Sequence, residues 1–268
     1  MKKLILSAFA ILTSLALLAG CGKASGSGAS GSDRKTFTVG FDAEFPPYGY
    51  MDDKGEYKGF DLDLAQEVCN RKGWELKKQP IDWDAKDMEL SSGAIDCIWN
   101  GFTIQGREDS YTWTIPYVDN SQVFVVKTDS GIKTPADLAG KKVGVQKDSS
   151  ALAALEGDSK DLADTFEELV QYADYNMGFM DLEAGAINAI AIDIGVANYQ
   201  IAQKGDGYVI LDEQLASEQY GVGFLKGNTE LKDEVEAVLK EMADDGTILK
   251  IAKEYSDFGM EEAICIGK

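Results

Sequence analysis

The sequence predicts an α/β protein of two lobes, each a mixed, mainly parallel sheet flanked by helices, joined by two hinge strands. Three observations predict it. Runs with strand composition alternate with runs of helical periodicity. The alternation occurs twice, before and after about residue 120. The residues with chemical capacity fall just past strand ends, where open parallel sheets keep their ligands. A chain of 268 residues with 44% hydrophobic content can bury a sizeable core. A formal charge of −20 argues against nucleic acid or an anionic membrane surface as an electrostatic partner. The chain has no histidine, the commonest general base and metal ligand, and no metal or cofactor is expected.

In chain order, residues 1–20 read as a signal segment: Lys2 and Lys3 precede an apolar run, Leu4–Leu18, too short for a comfortable membrane span. "LAGC" (Leu18–Cys21) resembles a bacterial lipobox, which implies a lipidated Cys21 and attachment to the extracytoplasmic face of the cell membrane. Two or more acyl chains, at about 0.8 kcal/mol per buried CH₂, give stable anchoring. With Cys21, the Gly/Ser-rich stretch through residue 35 forms a flexible tether. Cys69, Cys97 and Cys265 match no zinc spacing and read as free thiols or as one disulfide with a free partner.

The first strand is "FTVGF" (Phe37–Phe41), followed by the crowded stretch "DAEFPPYGY". A helix over Phe60–Gly73 presents Phe60, Leu64, Ala65, Val68 and Cys69 on one face and stops at Gly73. "ELKKQPI" and "AIDCIWNG" (Ala94–Gly101) supply two more strands. The second set runs through "SQVFVVK" (Ser121–Lys127), "KKVGVQ" (Lys141–Gln146), a helix from about Ser149, "INAIAID" (Ile187–Asp193) and a helix over Val196–Gln203. "YGVGFLKGN" (Tyr220–Asn228) reads as one further strand. Two closing helices follow; the first carries Leu231, Val235, Val238, Leu239 and Met242 as a stripe, with Asn228 as its cap and Gly246 at its end.

The strand ends hold a coherent kit. Past the first strand lie Asp42, Glu44 and Phe45, stiffened by Pro46 and Pro47. Past the third lie Gly101, Thr103 and, at a predicted helix start, Arg107, which can grip a carboxylate through two parallel hydrogen bonds. Ser149 and Ser150 open a helix, whose free N–H groups favour an anion. Asp193 ends an apolar strand and can receive an ammonium, while Phe45 and Trp83 can sandwich a side chain. Each feature alone has an ordinary explanation as a cap, a turn, a surface charge or packing. Their joint placement fits a molecule with one charge of each sign, such as a free amino acid. Asp42 and Glu44 beside the aromatic wall favour a polar or cationic side chain.

From about Phe37 to Gly259, "VGFDAEFPPYGY", "YKGFDLDLAQEV", "NGFTIQGRE", "VGVQKDSSALAAL", "AIAID" and "YGVGFLKGNTEL" follow one another in a familiar order. The chain resembles the solute-binding proteins of polar amino-acid ABC transporters, bacterial extracellular family 3, with the type II periplasmic-binding-protein fold. The resemblance implies a lobe of residues 36–118 and 222–268 and a second of 119–221, with crossings near Tyr117–Ser121 and Ser217–Val222. It implies that Asp42 and Gln146 contact the ligand side chain and that Phe45 and Trp83 form the aromatic wall. Gly101 and Thr103 meet the head group, Arg107 and Ser150 hold its carboxylate, and Asp193 takes its α-amino group. The implied partners are a free L-amino acid and an ABC permease, and the implied state is a monomer. Two departures stand out: "TIQGR" is one residue shorter than many members have, and Asp148 stands where many have glycine, so its carboxylate must point away from the anion site or be neutralised. An enzyme of the cyclohexadienyl-dehydratase kind on the same fold and an amino-acid sensor are the alternatives; no further membrane segment is read after the leader, so a sensor would need a separate partner.

Overall fold

The computed structural model describes residues 34–268; the signal segment, Cys21 and residues 22–33 of the tether lie outside them. Strand β1 (Thr36–Phe41) buries Phe37, Val39 and Phe41. A small antiparallel sheet follows, of β2 (Glu44–Phe45), β3 (Gly49–Met51) and β4 (Tyr57–Lys58). Helix α1 (Phe60–Lys72) buries Phe60, Leu64, Ala65, Val68 and Cys69 and ends at left-handed Gly73, whose N–H reaches back to the last turn. Then come β5 (Glu75–Pro80), α2 (Lys86–Ser92), β6 (Cys97–Ile98) and β7 (Tyr111–Trp113).

The long strand β8 (Val118–Lys127) starts the second sheet, continued by β9 (Lys142–Gln146), α3 (Ser150–Glu156), α4 (Lys160–Ala163), β10 (Glu168–Tyr172), α5 (Tyr175–Ala184), β11 (Ala189–Asp193), α6 (Ile194–Lys204), β12 (Tyr208–Ile210) and β13 (Ala216–Tyr220). Strand β14 (Gly223–Leu225) rejoins the first sheet, and α7 (Thr229–Asp244), α8 (Thr247–Ala252) and α9 (Met260–Ala263) close the chain. The first sheet has the order β5-β1-β6-β14-β7; β1, β5 and β6 are parallel, and β14 is antiparallel to its neighbours. The second has the order β10-β9-β11-β8, with β12 and β13 both antiparallel to β8. The chain therefore passes between the sheets twice, between β7 and β8 and between β13 and β14.

Four expectations change. Tyr220–Asn228 is not one strand: Tyr220 ends β13 and Gly223–Leu225 form β14, because the Gly221–Val222 link carries the chain from one sheet to the other. The strand expected over Ala94–Gly101 contracts to Cys97–Ile98. Asn228 occupies the cap position of α7, yet its side chain makes no capping hydrogen bond. Arg107 does not start a helix: its N–H donates to the Ile104 carbonyl at 2.9 Å in a turn, since Gly106 is left-handed (φ 78°) and β7 begins at Tyr111. The three cysteines of the described residues are free thiols, with Cys69 and Cys97 buried.

Asp61, in the first turn of α1, is buried and locks the loop after β6 to the approach of β8. Its carboxylate accepts from the Gly101 N–H at 2.6 Å and from the Tyr117 hydroxyl at 2.8 Å. Burial pushes its carboxyl up to about 7. A carboxyl raised in the fold favours folding while protonated, so stability falls as pH climbs from the unfolded value, about 4, through about 7. Asp61→Asn is expected to shrink the drop in Tm between about pH 5 and pH 8, measured by thermal denaturation; an equal drop in both proteins would mean that Asp61 does not titrate there.

Candidate functional site

The loops at the strand ends of both sheets converge. From the first, β2 presents Phe45, packed between Tyr48 and Tyr175 at ring-centroid distances of 5.7 and 6.0 Å. A short 3₁₀ turn, Trp83–Ala85, presents Trp83, set edge-on to Phe102 at 5.4 Å. Gly101 follows β6 with φ 54°, and a Cβ there would lie 2.9 Å from the Phe45 ring, so the close approach of backbone to aromatic wall requires glycine. From the second sheet come Gln146 at the end of β9, Ser149 and Ser150 at the start of α3, and Asp193 at the end of β11. Ser149 caps α3 by accepting the Leu152 N–H at 3.1 Å.

Nine of the ten ligand-contact residues expected from the sequence line one cavity: Phe45, Trp83, Gly101, Thr103, Arg107, Gln146, Ser149, Ser150 and Asp193, together with Asn100. Asp42 is the exception. It lies one layer out, where its buried carboxylate accepts from Gln146 Nε2 at 2.7 Å and from the Glu44 N–H at 2.8 Å. It lines a neighbouring hollow with Glu44, Asp82, Asp84, Glu89 and Asp174, which meets the cavity at Trp83. Burial pushes its carboxyl up to about 6. The N–H of Gly101 is likewise taken, by Asp61.

Arg107 reaches the cavity with its guanidinium 5.4 Å from the Phe102 ring and donates to the Asp148 carbonyl at 3.0 Å; among the described residues it forms no ion pair. Asp148 is, among the described residues, the one non-glycine residue with positive φ (54°), and its carboxylate pairs with Lys86 at the start of α2. Lys86 is 1% exposed, also donates to the Trp83 carbonyl at 3.3 Å, and lies over the Trp83 ring. Burial lowers its pKa, which Asp148 opposes. The Asp148 carboxylate is thus neutralised by a cation from the other side of the cleft, and that cation is otherwise cut off from water.

A second network stands behind Asp193. Its Oδ1 accepts from Asn120 Nδ2 at 2.9 Å, from Gln122 Nε2 at 2.6 Å and from the Tyr220 hydroxyl. Glu218 Oε1 accepts from the same two amides at 2.7 and 2.8 Å and from the Thr103 hydroxyl at 2.8 Å, with the Ser150 hydroxyl at 3.3 Å. Burial raises the Asp193 carboxyl, and the neighbouring Glu218 raises it further. The sequence reading missed Lys86, Asn100, Asn120, Gln122, Glu218 and Tyr220. One signal was available: Asn120 and Gln122 stand two apart in a strand that runs on into the apolar "VFVV", so both amides face the same way.

A model of the bacterial extracellular solute-binding proteins, family 3, matches residues 37–259. The chain belongs to this family. The L-cystine-binding protein of Escherichia coli strain K12 is 30% identical over 226 residues, 83% of each chain. The L-arginine-binding protein of Pseudomonas aeruginosa is 28% identical over 233 residues, 84% of this chain and 89% of its own. An ABC uptake transporter substrate-binding protein from Streptococcus pneumoniae, solved with bound histidine, superposes with TM-score 0.81 and 35% identity over 85% of this chain and 94% of its own. An ancestral arginine-binding protein bound to glutamine gives TM-score 0.75 and 35% identity over 83% and 98%. The fold of this family-3 protein is accordingly the two-lobed type II periplasmic-binding-protein fold.

Lys86 and Asp148 join the two lobes, so removing the anion leaves a buried cation unmatched. Asp148→Asn keeps a residue that tolerates positive φ and is expected to part the lobes, giving a larger radius of gyration by small-angle X-ray scattering than the wild type. An unchanged radius would show that the pair does not hold the lobes together.

Proposed function

We propose that this protein captures a free polar or cationic L-amino acid between its lobes and delivers it to an ABC permease. The observation that carries this reading is the presence of Arg107 and Asp193 in the lining of one cavity, contributed by loops of different sheets. A zwitterion needs an opposite charge at each end, and neither sheet offers both. Arg107 and the Ser150 hydroxyl take the α-carboxylate; Asp193 takes the α-ammonium; Phe45 and Trp83 flank the side chain. Gln146 carries the influence of Asp42 into the cavity. The adjoining hollow, with Asp42, Glu44, Asp82, Asp84, Glu89 and Asp174 on its walls, favours a side chain ending in a cation. The relatives named for cystine, arginine and histidine are binding proteins, which supports capture over catalysis.

The lobes are divided at 118/119 and 221/222, and their closure about these links commits the ligand, because the closed form makes contacts that the open form lacks. Lipidated Cys21 anchors a monomer to the extracytoplasmic face of the membrane, with residues 22–35 giving it reach.

Arg107→Ala and Asp193→Ala are each expected to weaken amino-acid binding at least about tenfold in isothermal titration calorimetry, about 1.4 kcal/mol. A thermal-shift panel of the twenty amino acids with cystine and ornithine identifies the ligand first. Retention of wild-type affinity in both variants would refute the site, and a preference for acidic amino acids would refute the ligand class.

A further inference from the structure

Glu218 stands behind the cavity, on the last strand of the second sheet before the chain crosses back. On β8, Asn120 is paired in register with Glu218 of β13, and Gln122 with Asp193 of β11. The two amides lie on one face of β8, and each nitrogen is shared: Asn120 Nδ2 is 2.9 Å from Asp193 Oδ1 and 2.7 Å from Glu218 Oε1, and Gln122 Nε2 is 2.6 and 2.8 Å from the same atoms. All four residues belong to neighbouring strands of one sheet, so the arrangement does not depend on the lobes being together. Both carboxylates are buried.

The groups around them are neutral or acidic. Tyr220 donates to Asp193; Thr103 and Ser150 donate to Glu218; the phenols of Tyr48 and Tyr175 lie close enough to feel both carboxylates, and Tyr48 also feels Asp61. Among the described residues no lysine or arginine pairs with either carboxylate, and Arg107 serves the other part of the cavity lining. Two carboxylates held together out of water and linked only by neutral donors cannot both stay ionised at small cost, so the charge of one bears directly on the other. Burial and the Glu218 charge both push Asp193 in that direction.

We infer that Glu218 is a positioning residue that sets the pH range of ligand capture, acting through the shared amides on the charge of Asp193. The inference rests on the amino-acid reading above only for the identity of the cation. The step balances simply: an ammonium enters with its three protons, pairs with the ionised Asp193, and the proton that Asp193 held before binding leaves to the buffer. Binding therefore weakens as pH falls. Replacing Glu218 by a neutral residue removes the neighbouring charge, lowers the pKa of Asp193, and moves the acid limb to lower pH.

The test uses the full chain and L-arginine, whose head-group charges stay constant between about pH 4.5 and 7.5, as the calorimetric probe. The wild-type Kd is expected to rise up to about tenfold per pH unit below neutrality, as one-proton linkage requires. In Glu218→Gln the same rise should begin at least about one pH unit lower, and Glu218→Asp should restore the wild-type profile. Superimposed profiles for wild type and Glu218→Gln would overturn the inference, as would a Glu218→Gln profile weakened by one constant factor at every pH. Carboxyl carbon NMR of the protein without amino acid decides the matter independently. Asp193 should titrate well above the ordinary aspartate range in the wild type and lower in Glu218→Gln, and an unmoved titration would overturn the inference. If none of the panel amino acids binds and the titration moves as expected, the proposed ligand falls and the role of Glu218 stands.

Discussion

A charge taken out of water must be matched, and the cavity of this protein is organised around that requirement. The match takes three forms. Lys86 finds an opposite charge in Asp148. Asp61 and Asp42 find backbone and side-chain donors and are held partly toward the neutral form. Asp193 and Glu218 find only amides and hydroxyls. Arg107, among the described residues, meets only carbonyls and an aromatic ring. The groups left with unmet charge are the ones that line the cavity or stand directly behind it. This is the arrangement expected of a site that completes itself with a charged solute.

The division of labour follows the topology. Cationic character comes from the loop between β6 and β7 of the first sheet, anionic character from the end of β11 and the middle of β13 in the second. The crossing strands are also part of the site. Strand β8 carries Asn120 and Gln122 on the same short segment that leads the chain into the second sheet, and β13 carries Glu218 just before it returns. Any rotation of one lobe against the other pivots within a few residues of the groups that hold Asp193.

Much of this was legible in the sequence, for local reasons. Helices α1, α6 and α7 announce themselves through apolar periodicity, and β1, β9 and β11 through compact apolar runs with clear ends. Site residues at or shortly after those ends, such as Asp193 and Ser150, could be read because strand direction fixes where they lie. What escaped was set at long range. Strand β10 and helix α5 were missed: "ELVQY" mixes charged and polar residues with its apolar ones, and Gly178 in the helix weakens its local signal. Lys86 is a surface residue by composition, yet it is buried against Trp83 and paired with Asp148 from the other sheet, a partner its local sequence does not reveal. Glu218 is unremarkable in "ASEQY" and acquires meaning only from its register against Asn120. Asp42 was placed one layer too far in, because nothing local reveals that Gln146 stands between it and the cavity.

The bond between Lys86 and Asp148 has an environmental consequence. One partner is sealed from solvent, while the side chain of the other is 54% accessible, so dissolved ions can compete for the carboxylate when the lobes move apart. Screening lengths shrink from about 10 Å at 0.1 M salt to about 3 Å at 1 M. Grip on the solute in this protein is therefore sensitive to the salinity of the medium outside the cell, tighter in dilute surroundings and looser in brine, even for a solute that carries no net charge.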